Sequence, residues 1–150
     1  MQPQQMGTVM PQGATRPAQM MSMMDSVNKC LKLGYMDFSG RATRSEYWWF
    51  SLAMSVGMTL VMIGLLVIDM VVGGDLGAMI LVGGYFLAYL AILSPMLAVS
   101  VRRLHDLGKS GWMLLIGMIP FVGSILLLVW FVSDGEPHDN QYGPVPTNQL

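Results

Sequence analysis

The chain has 150 residues and a single cysteine, carries a formal net charge of -1, and is 11% charged against 53% hydrophobic. Ordinary soluble proteins are about 25% charged, so a soluble fold of this composition would lack polar residues to cover its surface. A net charge so near zero leaves no strongly basic face for nucleic acid, and Cys30 alone excludes an intramolecular disulfide framework and a paired-cysteine zinc site.

Residues 1–24 are rich in Gln, Pro and Met and carry one cation, Arg16. No continuous apolar run follows that arginine, so the segment is not a secretory signal peptide and reads as a disordered tail. Met20, Met21, Met23 and Met24 offer thioethers suited to a soft ion such as Cu(I). Only Cys30 stands near them as a further soft ligand, so no metal and no cofactor is expected. Met20, Met23, Met24, Val27, Cys30 and Leu31 recur at three-and-four spacing, which predicts a short amphipathic helix lying in a membrane interface with Lys29 and Lys32 toward headgroups.

The stretch F-S-G-R-A-T-R-S-E-Y-W-W-F, Phe38 to Phe50, comes next. Thr43-Arg44-Ser45-Glu46 is a capping-box pattern in front of an apolar run, and Tyr47, Trp48 and Trp49 suit a membrane–water boundary. Three stretches without formal charge follow, 47–68, 76–101 and 110–133. Each is longer than the roughly 18 apolar residues at which a spanning helix becomes the better reading. The expected architecture is therefore an all-α membrane protein of about three transmembrane helices, near 48–68, 78–99 and 112–132, in a membrane domain of residues 25–146, with 147–150 as a short end. Pro95 and Pro120 each remove a backbone donor and are expected to kink their helices. Ala53-xxx-Gly57 and Gly84-xxx-Ala88 are small-residue spacings that permit close helix approach.

Lysines and arginines precede the first span and return in the loop after the second, while the loop Asp69–Asp75 and the C-terminal tail have none. Three spans with basic loops inside predict a cytoplasmic N-terminus and an external C-terminus.

The loop after the second span is R-R-L-H-D-L-G-K-S-G-W, Arg102 to Trp112. Helical spacing puts Arg102, His105 and Asp106 on one face, Gly108 stands where a C-terminal glycine belongs, and Ser110 can cap the next helix. One histidine and one carboxylate are too few for a metal, and no nucleophile elbow accompanies them. Arg41, Arg44, Glu46, Arg102, Arg103, His105 and Asp106 are therefore candidate contacts to lipid headgroups or a partner, since arginine forks suit phosphate oxygens. A second candidate motif, Asn140, Tyr142 and Gly143, lies in the turn-rich tail. On the three-span reading it stands across the bilayer from Arg102–Asp106.

G-R-A-x-R-x-E-Y-W (Gly40 to Trp48), R-R-L-H-D-x-x-x-S-G-W (Arg102 to Trp112), P-x-x-G (Pro120 to Gly123) and N-x-Y-G-P-x-P (Asn140 to Pro146) occur in order over residues 25–146. In these motifs the chain resembles the bacterial small inner-membrane proteins of domain-of-unknown-function family 805. Met113 stands where the family often has a second aromatic, and Val145 where it often has Asp. The resemblance implies a compact helical bundle in a bacterial inner membrane and no particular activity; it also implies that the two polar motifs can meet.

The expected function is an accessory or scaffold component that works through contacts with membrane lipids and with other membrane proteins or itself. An oligomeric transport or channel component is one alternative, and a membrane enzyme acting on a phosphate-bearing lipid through Arg102, Arg103, His105 and Asp106 is another. No ionisable residue falls deep in a predicted span, which disfavours a self-contained transporter.

Overall fold

The computed structural model describes residues 21–146. The tail expected over 1–24 lies largely outside these residues, as do Met20 and the end 147–150. Among the described residues the fold is all-helical. Helix α1 (Met23–Asn28) runs into a π-helical turn (Lys29–Leu33), followed by α2 (Arg44–Val72), α3 (Gly74–Asp106), a 3-10 segment (Gly111–Met118) and α4 (Val122–Val132).

The two long helices form one antiparallel hairpin. Thr43 caps α2, its hydroxyl accepting from the Glu46 N–H at 3.2 Å. At the far end the chain reverses within Gly73 and Gly74, both at positive φ (69° and 59°), a conformation open to glycine at little steric cost. Gly84 lets the helices close up, since a methyl group there would meet the Leu65 side chain at 2.9 Å. Gly57 has open space around it, so only one of the two small-residue spacings is used where a glycine contact can be seen.

Helix α3 runs unbroken through Pro95. That proline cannot donate to the carbonyl four residues back, and the freed Ala91 carbonyl accepts instead from the Tyr35 hydroxyl. Ser94 donates in turn to the Tyr35 carbonyl at 3.2 Å. The segment after α1 is thus fastened along α3.

The third expected helix is not continuous. Residues 112–132 do not form one helix: the 3-10 segment ends at Met118, the chain turns at Pro120–Phe121, and α4 starts only at Val122. Pro120 therefore breaks the helix rather than kinking it. The two legs fold back on each other so closely that a methyl group on Gly123 would meet the Ile116 carbonyl oxygen at 1.8 Å. Both ends of this hairpin return to the same end of the α2–α3 pair. Lys109, just before it, sits over the Trp130 ring at 4.8 Å, and Arg103 donates to the carbonyls of Phe131 and Ser133.

The short N-terminal helix is also placed differently from expectation. Cys30 and Val27 pack into the protein, on a small core with Ala42, Phe50, Val99, Tyr47, Met54 and Met96. Met23, Met24 and Leu31 are the exposed members of its apolar set. Packing against α2 and α3 orients the helix, so the face read as lipid-buried is partly a protein-facing one.

Candidate functional site

The polar motifs converge at one end of the molecule in two buried charge clusters. The first is centred on Glu46, in the opening turn of α2. One carboxylate oxygen takes Lys29 Nζ at 2.7 Å and the other takes Arg102 Nη1 at 2.7 Å. Cys30 Sγ lies 3.8 Å from the Arg102-bound oxygen and 3.6 Å from Arg102 Nη2. Burial, then the Glu46 charge, push the Cys30 thiol up to about 11 from 9.0. Gly34 makes room for the guanidinium, since a methyl group there would meet Arg102 Nη2 at 3.1 Å.

Asp106, at the end of α3, centres the second cluster. Arg41 meets its Oδ1 at 3.0 Å through Nη2, and Arg103 holds its Oδ2. Both guanidinium groups also donate to the tail backbone: Arg41 to the carbonyls of Glu136 (2.7 Å), His138 (2.8 Å) and Gly143 (3.4 Å), Arg103 to that of Ser133. The Glu136 N–H donates back to the Asp106 carbonyl at 2.8 Å. Removing either partner of such a buried pair typically costs about 3–5 kcal/mol, because a charge is left without compensation.

His105 joins the tail by a different route. Its ring stacks on Tyr142 with centroids 3.8 Å apart and planes within 3°, and its Nδ1 lies 3.1 Å from the Gly40 carbonyl. Asn140 donates to the His105 carbonyl at 2.9 Å and to the Glu136 carboxylate at 2.7 Å. It also pairs through its backbone with Gly143, whose φ is +131°. Gly108, at φ +67°, ends α3 as expected and leaves space filled by the Glu136 carboxylate.

Three relationships follow from these contacts. The motifs Arg102–Asp106 and Asn140–Gly143, expected apart on the three-span reading, meet. Asp106 pairs with Arg103, three residues before it, while Arg102 turns to Glu46. Arg41, Glu46, Arg102, Arg103 and Asp106, expected as contacts to lipid headgroups or a partner, are buried and engaged with one another and with backbone carbonyls. Arg44 remains exposed, paired with Asp134 at 2.7 Å, and His105 is half-buried.

Lys29, Cys30, Asp134 and Glu136 were not among the expected site residues. Lys29 and Cys30 were assigned to the interfacial helix, while Asp134 and Glu136 were placed beyond a third span. Among the described residues no group of His, Cys, Asp and Glu is arranged to hold a metal ion.

Two long apolar helices, a shorter apolar helix and a cap of interlocked charges at one end define an all-helical membrane protein. Residues 35–144 match the family described as "Protein of unknown function (DUF805)", and the chain belongs to that family. It is 37% identical over 118 residues to inner membrane protein YhaI of Escherichia coli strain K12, covering 75% of this chain and 87% of the relative. Inner membrane protein YhaH of the same strain is 38% identical over 127 residues, covering 82% and 97%. The chain is accordingly a bacterial inner-membrane protein. No solved structure matches it significantly.

Proposed function

We propose that the protein is an accessory or scaffold component of the inner membrane, with two spans, α2 and α3, and with both ends of the described chain in the cytoplasm. It acts through lipids and through neighbouring membrane proteins or further copies of itself. The observation that carries this reading is how the signature residues are spent. Each buried carboxylate is bracketed by two cations, and guanidinium donors on Arg41 and Arg103 are taken by tail carbonyls. Such an arrangement builds a rigid cap. A phosphate-lipid enzyme would need arginine forks free to meet substrate oxygens.

Helix length supports the placement. Helix α3 has 33 residues, about 50 Å at about 1.5 Å per residue, against a hydrocarbon core of about 30 Å. With the Gly73–Gly74 turn at the outer surface, the inner boundary falls near Pro95 on α3 and near Leu52 on α2, with Trp48 and Trp49 just beyond it. The charge clusters then stand in the cytoplasm, with the positive residues inside as the distribution rule requires.

Sidedness is tested by labelling intact cells that carry Cys30→Ser and Gln141→Cys with a membrane-impermeant maleimide. Protection in intact cells and labelling after lysis is expected; labelling of intact cells would overturn the two-span reading. The role is tested by the lipid profile of a His105→Ala strain. An unchanged profile, with altered abundance or assembly of other membrane proteins when the whole chain is deleted, fits a scaffold. Lipid turnover that depends on His105 would instead identify an enzyme.

A further inference from the structure

We infer that the hairpin of residues 111–132 is a wedge inserted into one leaflet only, and that it makes the protein prefer membranes whose cytoplasmic leaflet is convex. The inference rests on the two-span reading and goes beyond it.

The dimensions come first. The 3-10 leg has 8 residues and α4 has 11. At about 2.0 and 1.5 Å per residue both legs are about 16 Å long, half the thickness of a hydrocarbon core. The root of the hairpin is fixed beside α3, where Gly111 packs so tightly that a methyl group would meet Val101 Cγ1 at 2.8 Å. Legs of that length bring the turn back along α3 by up to about 11 residues, from Val101 to the level of Leu90. That is a few residues inside the boundary near Pro95.

The surface of the hairpin matches that depth. No charged residue occurs from Ser110 to Ser133. Met118 and Phe121 are 80% and 84% exposed, and Ile119 and Val122 are exposed beside them. Four backbone N–H groups at the turn are paired within it: Ile119 N–H to Ile116, Val122 N–H to Pro120, Gly123 N–H to Ile119 and Ile125 N–H to Phe121. Internal pairing is what hydrocarbon demands of a backbone. The exposed tip is continuous with the apolar outer faces of α2 and α3, so acyl chains of the cytoplasmic leaflet are the occupant that fits it.

Among the described residues the opposite leaflet has no counterpart. There α2 and α3 run alone to the Gly73–Gly74 turn, whereas at the cytoplasmic end the hairpin and the segment Tyr35–Phe38 add to their cross-section. A body wider in one leaflet is accommodated best where that leaflet is expanded, as with other elements that bury apolar surface at one face.

Depth is measured by spin labels on full-length protein in liposomes, at Phe121→Cys, Leu87→Cys and Val132→Cys, each with Cys30→Ser. At position 121 the label should be reached by oxygen rather than by a water-soluble nickel chelate, as at 87, while 132 is reached by the chelate. Nickel access at 121 with the tail still protected in cells would overturn the wedge and leave the two-span reading standing. Curvature preference is read on membrane tubes pulled from giant vesicles. An impermeant dye on Gln141→Cys in the Cys30→Ser background reports only the copies whose cap faces outward. These should be enriched on the tube about twofold or more over the flat membrane, since binding through apolar area at one face is curvature-sensitive. The preference should vanish in Met118→Ser/Phe121→Ser, whose exposed positions leave the cap intact. Equal density on tube and vesicle for the unaltered tip would refute the preference.

Discussion

The imidazole of His105 lies flat on the phenol of Tyr142, 3.8 Å between centroids, although 37 positions separate them. This contact joins the end of α3 to the tail, and it does so with two rings that each keep a polar edge. Stacked aromatic pairs contribute about 0.5–1.5 kcal/mol beyond the area they bury. Tyr142→Phe should therefore keep the tail docked, and Tyr142→Ala should loosen it. Hydrogen exchange over residues 134–146 reads the difference: faster exchange in the alanine variant only. Equal protection in both would mean that the stack adds nothing to the hydrogen bonds that hold the tail.

A larger effect is expected at Asp106. Asp106→Asn leaves the guanidinium groups of Arg41 and Arg103 buried beside a neutral amide, and destabilisation of about 3–5 kcal/mol should follow. The exposed pair Arg44–Asp134 supplies the contrast, since Arg44→Ala should cost at most about 1 kcal/mol. Thermal unfolding in the same detergent ranks the two. Similar losses would show that the Asp106 cluster is no more than a surface ion pair.

The sequence allowed some of this to be read and hid the rest for physical reasons. Helices α2 and α3 were visible because burying their backbone in lipid requires long charge-free runs, and the caps at Thr43, Gly108 and Ser110 follow local rules. The hairpin was hidden because a charge-free run such as 110–133 suits a single span or two half-length legs equally well. Pro120 with Gly117 and Gly123 flanking it was the available sign: a helix breaker with glycines where the legs cross. Once that run was taken as a span, Asn140 and Tyr142 had to fall across the membrane from His105. Pairing of Asp106 with Arg103 rather than Arg102 was also beyond reach. Both arginines are close enough on the helix, and only Glu46 on α2 decides which is drawn away.

Those glycines make a second comparison. At Gly123 an added methyl group would meet a backbone carbonyl that cannot swing aside, so Gly123→Ala should open the hairpin at a cost of at least about 1–3 kcal/mol, the usual range for overpacking. Gly57 and Gly83 have nothing within 4 Å. Alanine there should be neutral or stabilising, because helix interiors favour it over glycine by about 1 kcal/mol. Midpoints of thermal unfolding should separate Gly123→Ala from the other two.

Cys30 gives a pH dependence with a definite sign. Its thiol is raised from 9.0 to about 11 by burial and by Glu46, so the folded chain holds the proton more tightly than the unfolded one. The stability tied to this proton is complete below pH 9 and is lost as the pH rises through about 11. In the folded protein the thiolate is scarce at pH 8, so alkylation should be slow there and quicken on unfolding. Cys30→Ala should flatten the loss of stability across that interval; an unchanged slope would assign the effect to another group.

Phe121 provides the last test, of strain at the turn. Its φ of 61° and ψ of -61° are those of a γ-turn closed by the 2.7 Å bond from Val122 N–H to the Pro120 carbonyl, a rare and strained form for a residue with a side chain. Strain of this kind costs on the order of 1–3 kcal/mol. Glycine is ordinarily the less stable choice by about 0.5–1 kcal/mol relative to alanine, through its greater freedom when unfolded. At position 121 the order should reverse, with Phe121→Gly unfolding at a higher temperature than Phe121→Ala. Both variants lose the phenyl ring, so their difference isolates the backbone from the lost side chain. Should alanine prove the more stable, the chain does not hold this turn, and the tip of the hairpin must be shaped differently.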